Sequence, residues 1–199
     1  MNYLRLVLAS RSPRRKALLE AIGIEPLVVP SKFDESRFDP SDMSPRELAM
    51  ALARGKTAAV AREYPDDVVL GADTIVVLDG KVLGKPATPT EAAQMLEHLS
   101  GNTHEVYTGI ALYEPKSGQV FCDVARTLVT MRHMEPHEIE WYVGTGEPMG
   151  KAGGYGIQGK AALFVTGING DYTGVIGLPL SKFYEILKRA GLLITNFLV

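Results

Sequence analysis

The feature that most constrains the fold is the run VVLGADTIVVL at residues 68–78, which is apolar at almost every position. Its β-branched residues predict a strand, and the Asp79-Gly80 pair directly after it predicts a tight hairpin turn into a second strand. Segments typical of strands and of helices follow one another along the rest of the chain. This mixture predicts an α/β fold with mixed α+β character, in which a central mixed sheet is flanked by helices.

Capping and turn residues place the other elements. Ser44 and Thr88 are each followed by Pro and, three residues on, by Glu47 and Glu91, which predicts two capping boxes. The Asn169-Gly170 pair suggests a further hairpin. The predicted strands cover residues 4–9, 25–29, 106–113 and 119–131, and the predicted helices cover residues 13–22, 45–62, 89–99, 136–143 and 180–190.

Composition excludes several classes of protein. The 199-residue length suits one domain, residues 1–199. A formal net charge of −2 gives no electrostatic basis for a general nucleic-acid binder. The single cysteine, Cys122, excludes an internal disulfide and is compatible with a reducing compartment. We find no signal peptide and no run of about 18 apolar residues, so no membrane association is expected and the expected location is the cytoplasm.

Two arginines occupy an unusual place in the segment SRSPRRKALLE, residues 10–20. Ser12 is the predicted N-cap and Pro13 the first helical residue, so Arg14 and Arg15 fall in the first turn. A helix N-terminus carries about half a positive charge, and further cations there are unfavourable unless an anion is bound. The arginines can be solvated surface residues, but their position just after a predicted strand favours an anion site, for which phosphate is the typical ligand.

Two charged residues interrupt apolar patterns. Asp73 lies inside the predicted strand, where a carboxylate without partners is costly to bury. It either bonds neighbouring backbone at a strand end or serves as a desolvated base or metal ligand, and its apolar neighbours favour the second interpretation. Lys56 shares a helix face with Leu52 and Val60. Its ammonium either extends past the core to solvent or points into a cleft that holds an anion.

The segment GKAGGYGIQG, residues 150–159, is dense in glycine, which lets backbone approach a ligand closely. It matches neither a P-loop nor a dinucleotide-binding fingerprint. Gln158 offers a donor and an acceptor together, which suits the edge of a nucleobase. The four histidines show no metal-ligand spacing and are interpreted as structural. Ser10 has no Ser-His-Asp context, so a nucleophilic hydrolase is not indicated.

Together these motifs resemble those of the Maf family of nucleoside triphosphate pyrophosphatases. The resemblance implies a mixed α/β fold with two lobes around a deep cleft, similar to inosine triphosphate pyrophosphatases. It also implies hydrolysis of a nucleotide to its monophosphate and pyrophosphate with a divalent cation, Mg²⁺ or Mn²⁺, and it is compatible with a homodimer. The similarity extends almost from end to end, through LASRSPRR, FDES, SPRELAMALARGKTAAVA, GADTIVVLDGKVLGKP, SGNTHEVYTGI, EIEWYVGTGEPMGKAGGYGIQG and GDYTGVIGLPL.

The resemblance implies roles for particular residues. Asp73 corresponds to the family's proposed catalytic base. Asp73 and Glu35 would serve as metal ligands. The implied substrate-specificity positions are Arg14, Thr74 and Gln158, and the implied phosphate-binding residues are Ser10, Arg15, Lys56 and Lys85.

The same positions suggest a branch of the family. Arg14 together with Gln158 resembles the branch that acts on dTTP and UTP, whereas the branch acting on 7-methyl-GTP typically has tryptophan in place of Arg14. Gly174 is a departure, because many family members carry asparagine there.

Hydrolysis of dTTP and UTP is therefore the leading hypothesis. One alternative is a Maf pyrophosphatase for another or modified nucleotide, such as 7-methyl-GTP. A second is a regulator that binds nucleotide or nucleic acid without turnover and is linked to septum formation. The net charge argues against nucleic acid, and the presence of Asp73, Glu35, Lys56 and Lys85 together argues against an inactive protein. The sequence leaves open whether Asp73 acts mainly as base or as metal ligand.

Overall fold

A seven-stranded mixed sheet lies at the centre of the computed structural model, which describes residues 4–35 and 41–198. The strands are β1 (Leu6–Leu8), β2 (Leu27–Val28), β3 (Val68–Leu78), β4 (Lys81–Leu83), β5 (Thr103–Glu114), β6 (Gln119–Met131) and β7 (Val165–Asn169). The helices are α1 (Pro13–Glu20), α2 (Pro45–Ala61), α3 (Pro89–Leu99), α4 (Pro136–Gly144), α5 (Tyr172–Ile176) and α6 (Leu180–Arg189).

The sheet combines parallel and antiparallel pairs. Its order is β2-β1-β3-β5-β6-β7, with β4 paired to β3. The pairs β1–β2 and β1–β3 are parallel, and the other pairs are antiparallel. The fold predicted from the sequence, a mixed sheet flanked by helices, is confirmed.

Alternate residues of β3 face two different helical layers, as the period of a strand requires. Ile75 and Val77 pack in a cluster with residues of α2. Leu70 and Ala72 pack in a cluster with residues of α6. Since Asp73 shares the parity of Ile75, its side chain lies on the α2 face of the sheet.

The edge of β3 that faces β1 is only partly covered. β5 pairs with the opposite edge continuously from Val69 to Val77. On the near edge, β1 pairs with β3 only as far as Leu70, and β4 pairs with it only from Val76. Residues 71–75 therefore have no strand neighbour on this side among the described residues. A cleft opens here, where β1 ends and the chain turns away into α1.

Two large apolar clusters follow one another along β3. Leu70 and Ile110 belong to one cluster, and Val76 and Val106 belong to the other. On this face of the sheet, β3 passes from the first cluster to the second at Thr74, as expected for the predicted arrangement of two lobes around a cleft. Thr74 is thus at the junction of the two clusters, whereas the Asp73 side chain lies on the opposite, α2 face.

Two glycines let α2 approach the sheet closely. A Cβ at Gly71 would overlap the Thr57 hydroxyl, and a Cβ at Gly109 would overlap the main chain of Ala49. Any larger residue at either position would push α2 away from β3 and β5. The position of α2 decides how far the Lys56 side chain reaches towards β3.

The predicted hairpin at Asn169-Gly170 is wrong. β7 pairs with β6, but the chain after Gly170 enters α5 instead of a further strand. Asp171 is the N-cap of α5 and accepts a hydrogen bond from the Gly174 N–H at 2.9 Å. Its own N–H donates to the Thr127 hydroxyl at 2.9 Å, so the turn is anchored to β6. Capping by Asp171 is what overrides the hairpin preference of the dipeptide.

Of the two predicted capping boxes, the one in α2 is confirmed and the one in α3 is half formed. Ser44 and Glu47 bond reciprocally. Thr88 accepts from the Glu91 N–H at 3.1 Å, but the Glu91 carboxylate accepts from Ala87 at 2.8 Å. Residues 36–40 of the connection before α2 lie outside the described residues. Within the described ranges no helix is long and apolar enough to cross a bilayer.

Candidate active site

A cavity of about 520 Å³ follows the uncovered edge of β3. It lies between the end of β1, the first turn of α1, one residue of α2 and the glycine-dense segment. Every residue to which the resemblance assigns a role lines this cavity, so the structure brings together positions that are far apart in sequence. These residues are Ser10, Arg14, Arg15, Glu35, Lys56, Asp73, Thr74, Lys85 and Gln158.

The described lining of the cavity is strongly cationic, although the whole chain has a net charge of −2. Two carboxylates, Glu35 and Asp73, face six cations, which leaves an excess of four positive charges. A nucleoside triphosphate carries about four negative charges near neutral pH and suits such a lining. The six cations are Arg11, Arg14, Arg15, Lys56, Lys85 and Lys151.

Lys56 bridges the two carboxylates. Its ammonium lies 2.8 Å from Glu35 Oε1 and donates a hydrogen bond to Asp73 Oδ1. The Lys56 side chain is 13% exposed, so of the two interpretations the cleft-facing one is correct. Burial alone would raise the pKa of Glu35, but the ammonium of Lys56, aided by Lys85 and Arg15, lowers that pKa below its usual value. Both carboxylates are thus held beside a cation.

The segment before residue 36 is docked onto α2, which positions Glu35. The Ser31 hydroxyl donates to the Lys56 carbonyl at 3.2 Å and accepts from the Phe33 N–H at 3.1 Å. The Phe33 ring occupies the space above Gly55, where a Cβ would overlap it. A side chain at position 55 would therefore displace the Phe33 ring from this place.

The first turn of α1 has the predicted cap, and Arg15 does more than fill a surface position. Ser12 accepts from the Arg15 N–H at 3.4 Å. The Arg15 guanidinium donates to the Gly177 carbonyl at 2.7 Å, to Ser10 Oγ at 3.1 Å and to Thr74 Oγ1 at 3.3 Å. Burial lowers the pKa of Arg15, and the charges of Asp73 and Glu35 partly offset this effect. Since arginine remains protonated under such shifts, Arg15 is a fixed cation.

A chain of hydroxyls connects Thr74 to α5, which contains Gly174. Thr108 Oγ1 donates to the Gly174 carbonyl at 2.7 Å and lies 3.0 Å from Thr74 Oγ1. A hydroxyl has one hydrogen, so with the Thr108 hydrogen on the carbonyl, the Thr74 hydroxyl donates to Thr108. Arg15 already donates to Thr74. Thr74 therefore keeps only acceptor capacity for a ligand. The unusual Gly174 participates through its main chain.

The glycine-dense segment forms the far wall of the cavity. The Gly153 N–H donates to the Gly84 carbonyl at 2.9 Å, which ties the segment to the residue before Lys85. Gly153 has φ 66°, a left-handed conformation that favours glycine. Tyr155 is buried, and its hydroxyl lies 2.7 Å from His104 Nε2.

Two cations of the cavity had no predicted role. Lys151 donates from its ammonium to the Glu147 carbonyl, and burial lowers its pKa. Its place inside the glycine-dense motif was the signal that pointed to it. Arg11 is an exposed residue between Ser10 and Ser12, and nothing in the sequence distinguishes it from a solvated arginine.

The donor set suits a cation that is shared with a substrate. The described residues contain no group of three or more His, Cys, Asp or Glu side chains placed to hold a metal. Glu35 and Asp73 lie on the same ammonium, so their oxygens are close together. Mg²⁺ is commonly held by one or two carboxylates together with phosphate oxygens and water. The two carboxylates fit that pattern.

The chain is similar to known proteins over nearly its whole length. The family model described as Maf-like protein matches residues 5–190. A dTTP/UTP pyrophosphatase of Moorella thermoacetica is 51% identical over 187 residues, which cover 94% of this chain and 95% of the relative. Proteins of the same name from Pelotomaculum thermopropionicum and Bacillus cereus are 47% and 45% identical, over 94% and 98% of this chain and 96% and 94% of the relatives.

Proposed function

The chain belongs to the Maf family, and from this premise we propose that it hydrolyses dTTP and UTP to the nucleoside monophosphate and pyrophosphate. The relatives that share about half of its residues carry that activity in their name. The observation that carries the proposal is the excess of four positive charges around a pair of carboxylates in one cavity. A non-catalytic regulator would need the cations but has no use for Asp73 and Glu35.

The phosphate chain would bind along the cations and the first turn of α1. Arg15 and Ser10 already hold each other at 3.1 Å, so this part of the site is organised before the substrate arrives. Lys85 and Lys56 would take the charge of further phosphate oxygens. With the phosphates held in this way, the α-phosphorus would lie near Asp73.

Asp73 would orient a water molecule and accept its proton as the water oxygen attacks the α-phosphorus. The bond between the α-phosphorus and the bridging oxygen breaks, and pyrophosphate leaves with that oxygen. Water and triphosphate thus yield monophosphate and pyrophosphate, and the proton is released from Asp73 afterwards. Positioning and the fixed cations would supply most of the rate enhancement.

Glu35 and Asp73 are the residues that would hold a divalent cation, Mg²⁺ or Mn²⁺. When bound, such a cation neutralises charge on the phosphate oxygens. In that case Asp73 serves both as ligand and as base.

Selection of the base would fall to Gln158, Arg14 and Thr74. Gln158 can donate to a carbonyl and accept from an N–H, which matches the edge of uracil or thymine. Thr74, whose hydrogen is committed to Thr108, would present only an acceptor. A homodimer, a cytoplasmic location, a single domain over residues 1–199 and the absence of nucleic-acid binding remain predictions of the sequence.

The test is a nucleotide panel with Mg²⁺ or Mn²⁺ in which monophosphate, diphosphate, pyrophosphate and orthophosphate are quantified separately. UTP and dTTP should give monophosphate and pyrophosphate at higher kcat/KM than GTP or 7-methyl-GTP. In ¹⁸O-labelled water, the label should appear in UMP, because the attack is at the α-phosphorus. UDP and orthophosphate as first products, or label in the pyrophosphate, would reject the proposal. Binding without turnover would favour the regulator.

A further inference from the structure

The Glu147 carboxylate is connected to both ends of the turn that contains Gln158, directly at one end and through a tyrosine hydroxyl at the other. Glu147 Oε2 accepts from the Lys160 N–H at 3.1 Å, on the far side of the turn. Glu147 Oε1 accepts from the Tyr142 hydroxyl at 3.1 Å. The oxygen of that hydroxyl accepts in turn from the Gly156 N–H at 3.3 Å, on the near side. The path from Gly156 to Lys160 is therefore closed by two side chains.

Gly159, the residue directly after Gln158, is in contact with the same carboxylate. A Cβ at Gly159 would overlap the Glu147 carboxylate. The turn is closed internally by the Gly159 N–H, which donates to the Gly156 carbonyl at 3.1 Å. The carboxylate thus contacts the turn directly at Gly159 and Lys160, and it reaches Gly156 through the Tyr142 hydroxyl.

The side-chain partner of Glu147 is held by packing. Tyr142 is fully buried, and its ring packs against Phe164 with centroids 5.6 Å apart. Burial raises the pKa of the Tyr142 hydroxyl, and the Glu147 charge adds to this effect, so the hydroxyl stays protonated and can donate. The Glu147 side chain is 18% exposed, which shields its hydrogen bonds from water.

Gln158 depends on this support. Its side chain is exposed in the cavity and makes no hydrogen bond within the part of the chain that the structure describes. The backbone of its turn is therefore what fixes where the side chain starts, and no hydrogen bond to another of the described residues holds it. An amide that must match a base edge in distance and direction loses discrimination when its backbone is free to shift.

We propose that Glu147 is a positioning residue that holds Gln158 in register with the base and so sets the preference for uracil and thymine nucleotides. This inference rests on the proposed function. Tyr142 acts with Glu147, because its hydroxyl accepts the hydrogen bond from Gly156 at the near end of the turn. Lys151 is independent of this role, since its ammonium is bonded to the Glu147 main chain, which a side-chain substitution leaves in place.

The test compares kcat and KM for UTP and GTP in Glu147→Ala, Tyr142→Phe and Gln158→Ala, and in the double variant Glu147→Ala/Gln158→Ala. Each of the first two variants should reduce the ratio of kcat/KM for UTP to that for GTP by about tenfold, the scale on which one mispositioned contact discriminates. KM for UTP should rise more than kcat falls, and pyrophosphate should remain the product. The double variant should show the same ratio as Gln158→Ala alone, because Glu147 acts through Gln158.

Glu140→Ala is the matched control, because Glu140 is an exposed glutamate on α4. It should leave the ratio unchanged. If Glu147→Ala does not fold, as judged by its melting curve, Tyr142→Phe decides, since it keeps the buried ring and removes only the hydroxyl. The positioning role would be overturned if Tyr142→Phe lowered kcat/KM equally for UTP and GTP. It would also be overturned if the ratio of kcat/KM for UTP to that for GTP fell further in the double variant than in Gln158→Ala. Failure of the wild type to release UMP from UTP would instead overturn the proposed function.

Discussion

The Lys56 ammonium donates a hydrogen bond to the Asp73 carboxylate across the gap between α2 and β3. The contact forms because Gly71 lets the helix lie close to the strand. A lysine that partners the candidate base is also a candidate ligand for phosphate. A triphosphate and Asp73 would therefore compete for the Lys56 ammonium. When the substrate binds Lys56, Asp73 loses its partner and is free to accept a proton.

Asp73→Asn keeps the size of the side chain and removes its charge. We expect kcat for UTP to fall by at least about 100-fold, because an amide cannot accept the proton of the attacking water. The fold should persist, since Lys56 keeps its ion pair with Glu35 at 2.8 Å. Steady-state kinetics and a thermal melt of the same preparation measure both effects.

Titration with Mn²⁺ separates the two roles of Asp73. Recovery of most of the rate at high Mn²⁺ would identify it as chiefly a metal ligand. A low rate at saturation supports the base role. Activity of Asp73→Asn close to that of the wild type at ordinary metal concentration would remove Asp73 from the mechanism and make Glu35 the next carboxylate to test.

Lys56→Met should reduce both stability and substrate binding. It leaves two neighbouring carboxylates without their shared cation, and breaking such a partly buried pair is expected to cost about 2–4 kcal/mol in the free energy of unfolding. KM for UTP should rise, because one phosphate partner is lost. Chemical denaturation and kinetics measure the two effects.

The double variant Lys56→Met/Asp73→Asn provides the control. It should recover part of the lost stability, since the buried unpaired charge is gone, but none of the activity. A single variant Lys56→Met as stable as the wild type would show that the pair with Asp73 contributes nothing to folding.

Arg15→Ala should destabilise the free protein, by about 1–3 kcal/mol in the free energy of unfolding, because three hydrogen bonds to Ser10, Thr74 and Gly177 are lost. The position of Arg15 at a helix N-terminus would by itself predict the opposite sign. Arg14→Ala is the matched control. It lies one residue away, also lines the cavity, and should change kcat/KM with little change in the melting temperature. Equal stability of the two variants would contradict the anchoring role of Arg15.

Much of the site could be predicted from the sequence, because its residues break local rules. Asp73 lies in an apolar strand, Lys56 on the apolar face of a helix, and Arg15 at the positive end of another helix. Each position is costly without a partner or a ligand. The cavity does bring these three residues together, whereas their individual roles stay predictions.

The contacts that hold the site could not be predicted from the sequence, because they depend on how distant segments approach one another in the fold. Nothing local indicates that Gly71 faces α2, or that the Glu147 carboxylate lies against Gly159. The hairpin predicted at Asn169-Gly170 failed for a related reason, since the helix cap at Asp171 is anchored by Thr127 of another strand. Local turn preference is weak compared with such tertiary anchors.

The last prediction concerns His104, which is 1% exposed. Its Nε2 lies 2.7 Å from the Tyr155 hydroxyl, and its Nδ1 has no hydrogen-bond partner among the described residues. Burial lowers the pKa of His104 from 6.5 to about 4. Between these values the unfolded chain binds a proton that the folded protein does not, so stability falls as pH decreases from 6.5 towards 4. Through this residue, the free energy of unfolding should fall by on the order of 3 kcal/mol.

Urea unfolding at several pH values between 7 and 4 measures this dependence. In His104→Gln the free energy of unfolding should change less steeply with pH over this range. Its stability at pH 7 should nevertheless be lower, because the contact with Tyr155 is changed. His98→Gln is the matched control, since His98 is exposed, and it should keep the slope of the wild type. The pKa of Glu138 is lowered to about 2 by Arg132, so protonation of Glu138 reduces the stability of the fold only below its ordinary pKa of 4.5. The comparison of variants therefore uses pH 6.5 to 4.5, and equal slopes in His104→Gln and the wild type there would show that His104 takes up its proton in the folded state.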